Sequence, residues 1–478
     1  MPVTLFDHSA RMRWFRSITS SVLGSDVAGD APLSLKRRLA RGAFWALGGS
    51  ALARLSGLFA AMIVARYLGR TQFGKLGMVV NTAGMFGTLA GFGLGVMATK
   101  YVAEFRSSDP ARAGRIITLS EGFAFLSGLS MAALLVLMAP WLASGTLASA
   151  QLAQPLRISA VLLLCNALIG AQTGTLCGLE AFRSIAKVNL VSGLASLPLS
   201  AGGAILGGLS GALWGTVLGA LLNCFLNYRT MLPLLRGLAI PFPAKGALRE
   251  RAALWRVSLP STIGSVLVGP VTWFCCTILA RQPNGYAELG LVNAANQWRT
   301  AILFFPATVG AAFLPVLCGL VANKDWQTFE KTARRTVLFS LAIGGLIAIP
   351  VFAFSSLAMR SYGNSFVQGT PVLRYTVLAA ALLAANNQIT RIATSVDRAW
   401  AGAAFDLVWA ASFLGMGVIL IHRYSATGFA AALLIAALIQ AGAQTWFMAR
   451  LGRLWSYPAL AFHIPQSGPA KCAISLSR

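Results

Sequence analysis

Acidic side chains are scarce in this chain, with 13 Asp and Glu against 39 Lys and Arg in 478 residues. Histidine is scarcer still: His8, His422 and His463 lie far apart near termini or loops, so no histidine-based catalytic set can be assembled. Six of the seven cysteines (Cys165, Cys177, Cys224, Cys275, Cys276 and Cys318) fall inside apolar segments without metal-type spacing or an accompanying histidine. They read as small buried hydrophobes. Charge of either sign makes up 11% of the chain against 56% hydrophobic residues, and the mean hydropathy of +0.70 excludes a set of soluble domains. The sequence is that of a polytopic membrane protein. Its net charge of +26 would suggest nucleic acid in a soluble protein. Here the cations sit between apolar runs, so topology and anionic headgroups account for them, and the partner is membrane lipid with no nucleic acid. Residues 1–41 are basic and lack a short apolar core, so no cleaved signal peptide is expected.

Apolar runs with polar breaks predict an all-α fold of about twelve transmembrane helices, near 43–65, 76–99, 116–138, 156–178, 188–206, 211–228, 257–280, 289–318, 336–358, 372–390, 402–421 and 428–449. Lys and Arg number 29 on the side of the N-terminus and 8 on the other, which places both termini in the cytoplasm. The broadest interior break, 229–256, carries six cations and three prolines. It divides a basic N-terminal segment (1–41) and a six-helix bundle (42–228) from a second six-helix bundle (257–450) and a cytoplasmic tail (451–478). Ala65-Arg66, Leu76-Gly77 and Asn81 are echoed by Ala280-Arg281, Leu289-Gly290 and Asn293, and both halves open on a basic pre-helix. Parallel repeats of this kind are a transporter architecture with the substrate site between the halves.

Two nucleotide-like motifs carry no nucleotide chemistry. Gly69, Gly74 and Lys75 have Walker A spacing, but Leu76 stands where Ser or Thr would hold magnesium and no strand precedes. Gly93, Gly95 and Ala98 fit a dinucleotide pattern only inside a membrane helix, where packing explains them. Gly87, Gly91 and Gly95 on one face would let a neighbouring helix approach. No cofactor is expected.

Charges inside apolar runs are the sharper signal, since one at a helix centre costs about 2.5–3.5 kcal/mol on the insertion scale. Arg54 and Arg299 come near the membrane midplane in helices 1 and 8. Asn293, Asn296, Gln297 and Thr300 form a polar stripe around Arg299. Either the arginines face a ligand, or they pair with Glu121 in helix 3 and Asp406 in helix 11; those acids could instead carry a coupling proton or cation. Asn386, Asn387, Gln388 and Arg391 line the same cavity or solvate a helix end.

The stretches ARYLGRTQFGKLG, LAGFGLG and TKYVAEF, the GLSGALWGTVLGALLNC turn and helix at 208–224, and weaker echoes in helices 8 and 10 make the chain resemble the polysaccharide and O-antigen flippases of the multidrug/oligosaccharidyl-lipid/polysaccharide exporter superfamily. That resemblance covers nearly all of residues 35–450. It implies two bundles around a V-shaped cavity, lined by cations, that moves a polyprenyl-diphosphate-linked oligosaccharide outwards across the inner membrane. Partner glycosyltransferases and a glycan polymerase are expected in the same system. A cation-coupled drug antiporter of the same superfamily is the first alternative, and would want acids deep in the cavity. A polytopic glycan polymerase or ligase is the second, yet the longest outer loop, 139–154, has no ionisable side chain. The expectation is a transporter and no enzyme.

Overall fold

A computed structural model describes residues 35–91, 93–241, 246–250, 254, 268–323, 325–396 and 399–455. The predicted N-terminal segment before Leu35, the tail after Trp455 and the first turns of helix 7 lie outside the described residues. Among the described residues regular structure is helical throughout, with no strand. Seven stretches there are long and apolar enough to cross a membrane. Backbone amides must be satisfied internally in lipid, and a helix does this within one segment.

We number the helices α1 (Leu35–Gly91), α2 (Leu94–Phe105), α3 (Pro110–Trp141), α4 (Ala153–Gly178), α5 (Phe182–Gly237), α6 (Val268–Ala280), α7 (Gly285–Ala322), α8 (Trp326–Ala353), α9 (Ser355–Arg360), α10 (Thr370–Ser395) and α11 (Ala399–Trp455). Three of them are interrupted. Non-helical backbone occurs in α1 at Gly69 (φ 71°, ψ 171°), in α5 at Gly207 and Gly208, and in α11 at Ser425 (φ 47°, ψ −124°). In α5 the chain reverses there: a Cβ on Gly203 would lie 2.2 Å from the carbonyl oxygen of Gly211. Eight residues of straight helix would hold those positions about 12 Å apart. The two arms of α11 meet likewise, with Gly428 against the Leu420 carbonyl.

The helices before residue 238 pack on one another, α1 and α4 with α5, and α2 and α3 with α4. Those after residue 267 do the same, α7 and α8 with α10, and α6 and α10 with α11. Small residues set the spacing, as membrane packing requires. Gly95 meets the backbone of Gly170, Gly174 that of Gly95, and Thr99 Oγ1 reaches the Gly174 carbonyl at 3.0 Å. Of the predicted glycine face, Gly95 and Gly87 meet α4, whereas a Cβ on Gly91 would touch nothing. The two sets of helices are joined chiefly by α1 against α7, with a smaller contact to α6. The short turn Ala247–Glu250 leans on the first set: Glu250 accepts from Arg112 at 3.2 Å and Arg115 at 3.3 Å.

Candidate functional site

Where α1 and α7 separate, a cleft of about 120 Å³ opens between Ala53, Arg54, Gly57 and Leu58 on one side and Gln297, Thr300 and Ala301 on the other. Arg54 enters from α1 fifteen residues before the break at Gly69, about 22 Å along the axis. The helical period explains the α7 lining, since residues three and four apart share a face. Gln297, Thr300 and Ala301 satisfy it. Arg54 is exposed to the cleft and Gln297 also stays open, while Thr300 Oγ1 is spent on the Asn296 carbonyl at 2.9 Å. Among the described residues no acid lines the cleft.

Arg299 lies two positions beyond Gln297, about 200° around the helix, and is turned away from this lining. Its Nε donates to Asn296 Oδ1 at 2.7 Å, and it sits within electrostatic range of Cys276 in α6, beside Asn81 of α1. Asn296 is thereby committed to Arg299. Asn293 belongs to yet another place: its Nδ2 faces the carbonyls of Phe73 and Gly74 at 3.4 and 3.5 Å, where α1 and α7 are in tight contact. Of the five expected ligand side chains, the structure thus brings Arg54 and Gln297 together and separates Arg299, Asn296 and Asn293 from them. Ala53, Gly57, Leu58, Thr300 and Ala301 complete the lining; the i, i+3, i+4 spacing from Gln297 was the signal for Thr300.

The two acids do not meet the arginines. Among the described residues no ion pair links Arg54 or Arg299 to Glu121 or Asp406. Glu121 on α3 instead faces Gln172 of α4, and Glu121 Oε1 and Gln172 Oε1 are both buried with no hydrogen-bond partner. The Gln172 amide donates to Cys224 Sγ of α5 at 3.6 Å. Asp406 is half-buried in α11, beside Phe405, whose carbonyl accepts from Gln440 at 3.3 Å.

The polar end of α10 divides differently from either expectation. Asn386 Nδ2 bonds the Ala437 carbonyl and Gln440 Oε1, Gln444 bonds the Asn386 carbonyl and Thr390, and Gln388 bonds the Pro306 carbonyl at 2.9 Å. Asn386 and Gln388 are therefore buried ties between helices, and Asn387 alone is exposed. Gln440 and Gln444, the other half of this network, went unnoticed because a lone glutamine in an apolar run leaves little trace. Among the described residues no three His, Cys, Asp or Glu side chains converge as a metal site.

Comparison with known proteins bears on what such a cleft serves. A profile of the family described as "Polysaccharide biosynthesis protein" matches residues 39–320. The EPS I polysaccharide export inner membrane protein EpsE of Ralstonia nicotianae is 27% identical over 179 residues, 36% of this chain and 39% of that protein. Its namesake in Ralstonia solanacearum is 30% identical over 171 residues, 33% of this chain and 38% of the relative. The chain thus aligns with about two fifths of the length of these relatives. Stage V sporulation protein B of Bacillus subtilis is 24% identical over 357 residues, 69% of this chain and 68% of that protein. Among solved structures, the lipid II flippase MurJ in an inward closed conformation superposes with a TM-score of 0.69 at 13% identity, over 84% of this chain and 86% of its own. An inward-facing multidrug resistance MATE family transporter of the MOP superfamily gives 0.67 at 15% identity, over 87% and 99%. At these identities the likeness is one of fold.

Proposed function

The chain belongs to the polysaccharide biosynthesis protein family, and from that premise we propose that it is a flippase carrying a polyprenyl-diphosphate-linked oligosaccharide across the inner membrane for surface polysaccharide synthesis. Two six-helix bundles, 42–228 and 257–450, would rock about the 229–256 linker with both termini cytoplasmic. The observation that carries this reading is the acid-free cleft with Arg54 open at its wall. A guanidinium offers paired donors that match diphosphate oxygens, and a low-dielectric surround strengthens the attraction. Gln297 adds a neutral amide suited to sugar hydroxyls, and the prenyl chain stays in lipid. Names of relatives support the substrate class: polysaccharide export for EpsE, lipid II for MurJ.

Arg299, held by Asn296 at the junction of α1, α6 and α7, is assigned a second contact with the diphosphate once the halves move. Glu121 and Asp406 are the candidate coupling acids. For Glu121, a proton or a cation between its free oxygen and that of Gln172 would satisfy both. Glycosyltransferases and a polymerase would supply and consume the substrate, and the protein itself performs no covalent step. A drug antiporter accommodates the structure less well, because a cationic drug meets an arginine in the cleft and no carboxylate.

Transport of labelled lipid-linked glycan into vesicles tests the proposal. Arg54→Ala at equal protein level should lower the rate at least tenfold, and Arg54→Lys should retain part of it, keeping charge without the planar fork. An unchanged rate in Arg54→Ala removes Arg54 as the grip.

A further inference from the structure

Apart from Trp273 Nε1, which donates to Thr82 Oγ1 at 3.0 Å, the side-chain hydrogen bonds that cross between the two sets of helices, among the described residues, cluster at the end bearing the Gly69 break and the turn before α7. Arg66 Nε donates to the Ser361 carbonyl at 2.7 Å. Arg281 Nε donates to the Thr146 carbonyl at 3.0 Å, and its Nη2 to that of Gly145 at 2.6 Å. The arginines are 215 positions apart (66 and 281), and so are the accepting carbonyls (146 and 361). Each half therefore sends an arginine to the other half, and each receives it at the same point of its own repeat. Neighbouring features keep nearly that interval. Asp109 and Asp325 cap α3 and α8 at 216 positions apart, and Pro155 and Pro371 stand in the first turns of α4 and α10, also 216 apart.

Between the two arms lies an asymmetric bolt. Arg70 bonds the Ala287 carbonyl at 2.9 Å, Gln368 Oε1 at 2.8 Å and the Glu288 carboxylate, whose other oxygen faces the Ala426 amide. Tyr286 Oη reaches the Leu147 carbonyl at 2.5 Å beside the Arg281 arm. The repeat echoed by Ala65-Arg66 and Ala280-Arg281 is thus present in the bonding and not only in the letters.

We propose that Arg66 and Arg281 are the two equivalent arms of one reciprocal clasp that shuts this end of the molecule, so that releasing either arm loosens both acceptor loops. The proposal rests on reading the chain as a transporter with two alternating states. Both arms use backbone carbonyls as acceptors, which do not titrate, so release needs only the competing hydration of a few polar groups. Each arm is modest by itself. That suits a gate which must open as well as close.

Hydrogen exchange on the purified, substrate-free protein tests the clasp. Reporter amides are Leu147 and Ser149 in one acceptor loop, bonded to Leu142 and Ala143, and Ser361, Tyr362 and Gly363 in the other. Arg66→Ala should speed exchange about tenfold in both loops, and Arg281→Ala should do the same in both, the scale of one charged-donor hydrogen bond. Arg360→Ala, an exposed arginine beside the second loop, should change neither. If each variant deprotects only the loop it bonds, or neither, the clasp is not a unit and the proposal is wrong. Should the alanine variants fail to fold, Arg66→Gln and Arg281→Gln carry the same pair of outcomes. Exchange is read without substrate, so failure here leaves the flippase reading standing, and loss of that reading leaves the exchange pattern to be judged alone.

Discussion

The same two helices, α1 and α7, meet in opposite ways at their two levels. At the sealed end Gly74 and Gly290 bring backbone against backbone, and each nitrogen of the Arg70 guanidinium makes a hydrogen bond, to Ala287, Gln368 and Glu288. Further along they part, and Arg54 stands in the cleft with no ion pair among the described residues. One arginine is bonded within the fold and the other is open to the cleft. On the proposed reading, a diphosphate would supply the partner that Arg54 lacks among the described residues.

That contrast can be broken most severely from the sealed side. Gly74→Val puts a Cβ 1.8 Å from the Tyr286 carbonyl oxygen, a clash with backbone that no rotamer relieves. We expect a loss of about 1–3 kcal/mol, read as a lowered midpoint in thermal unfolding, together with faster labelling of the cleft through the Gly74 end. A pairwise test follows. Arg70→Ala should lower thermal stability because Glu288 is left two-thirds or more buried without its cation, with a double-mutant coupling to Glu288→Ala of about 1 kcal/mol. Arg54→Ala, by contrast, should leave the midpoint unchanged while transport falls. If both arginines affect stability alike, the division into tie and grip fails.

Smaller effects sharpen the picture at the turns. Ser425 occupies a positive-φ corner with ψ −124°, a region where only glycine is comfortable, so Ser425→Gly should raise the unfolding midpoint by the equivalent of about 1 kcal/mol. The least of these concerns Asp325, whose carboxyl caps α8 at the Thr328 amide at 3.1 Å. The hydrogen bonds from Thr328 hold that carboxyl below its usual range. A depressed folded-state value means the contribution is present above the ordinary carboxylate range and is lost as pH falls through the folded value. Acid titration should therefore loosen the α8 amides near Thr328 in wild type, and the pH dependence should vanish in Asp325→Asn.

Much of this was legible in the letters, and the unread part has a common cause. Arg54 announced itself because a lone cation in a long apolar run has no cheap explanation. Arg299 announced itself for the same reason, but nearness in sequence grouped it with Gln297 although two residues of helix turn them about 200° apart. The glycine face at Gly87, Gly91 and Gly95 was read from spacing; Gly87 and Gly95 found their neighbour in α4, while Gly91 meets nothing, the helix being interrupted at Gly93. Gln440 and Gln444 gave no sign, because a hydrogen bond to the Asn386 carbonyl or the Phe405 carbonyl depends on which helix stands opposite.

By itself the sequence determined that the chain is helical and crosses a membrane, because unpaired backbone groups and more than a few charges cannot be left in lipid. It also set one cation, Arg54, inside a long apolar run. Only the tertiary structure decided which cations are free. Arg66, Arg70 and Arg281 have the same chemistry as Arg54, and what separates them is the presence of a carbonyl or carboxylate from the other half within hydrogen-bond reach. Such proximity comes from packing over hundreds of residues, and hydrogen bonds fade within a fraction of an ångström.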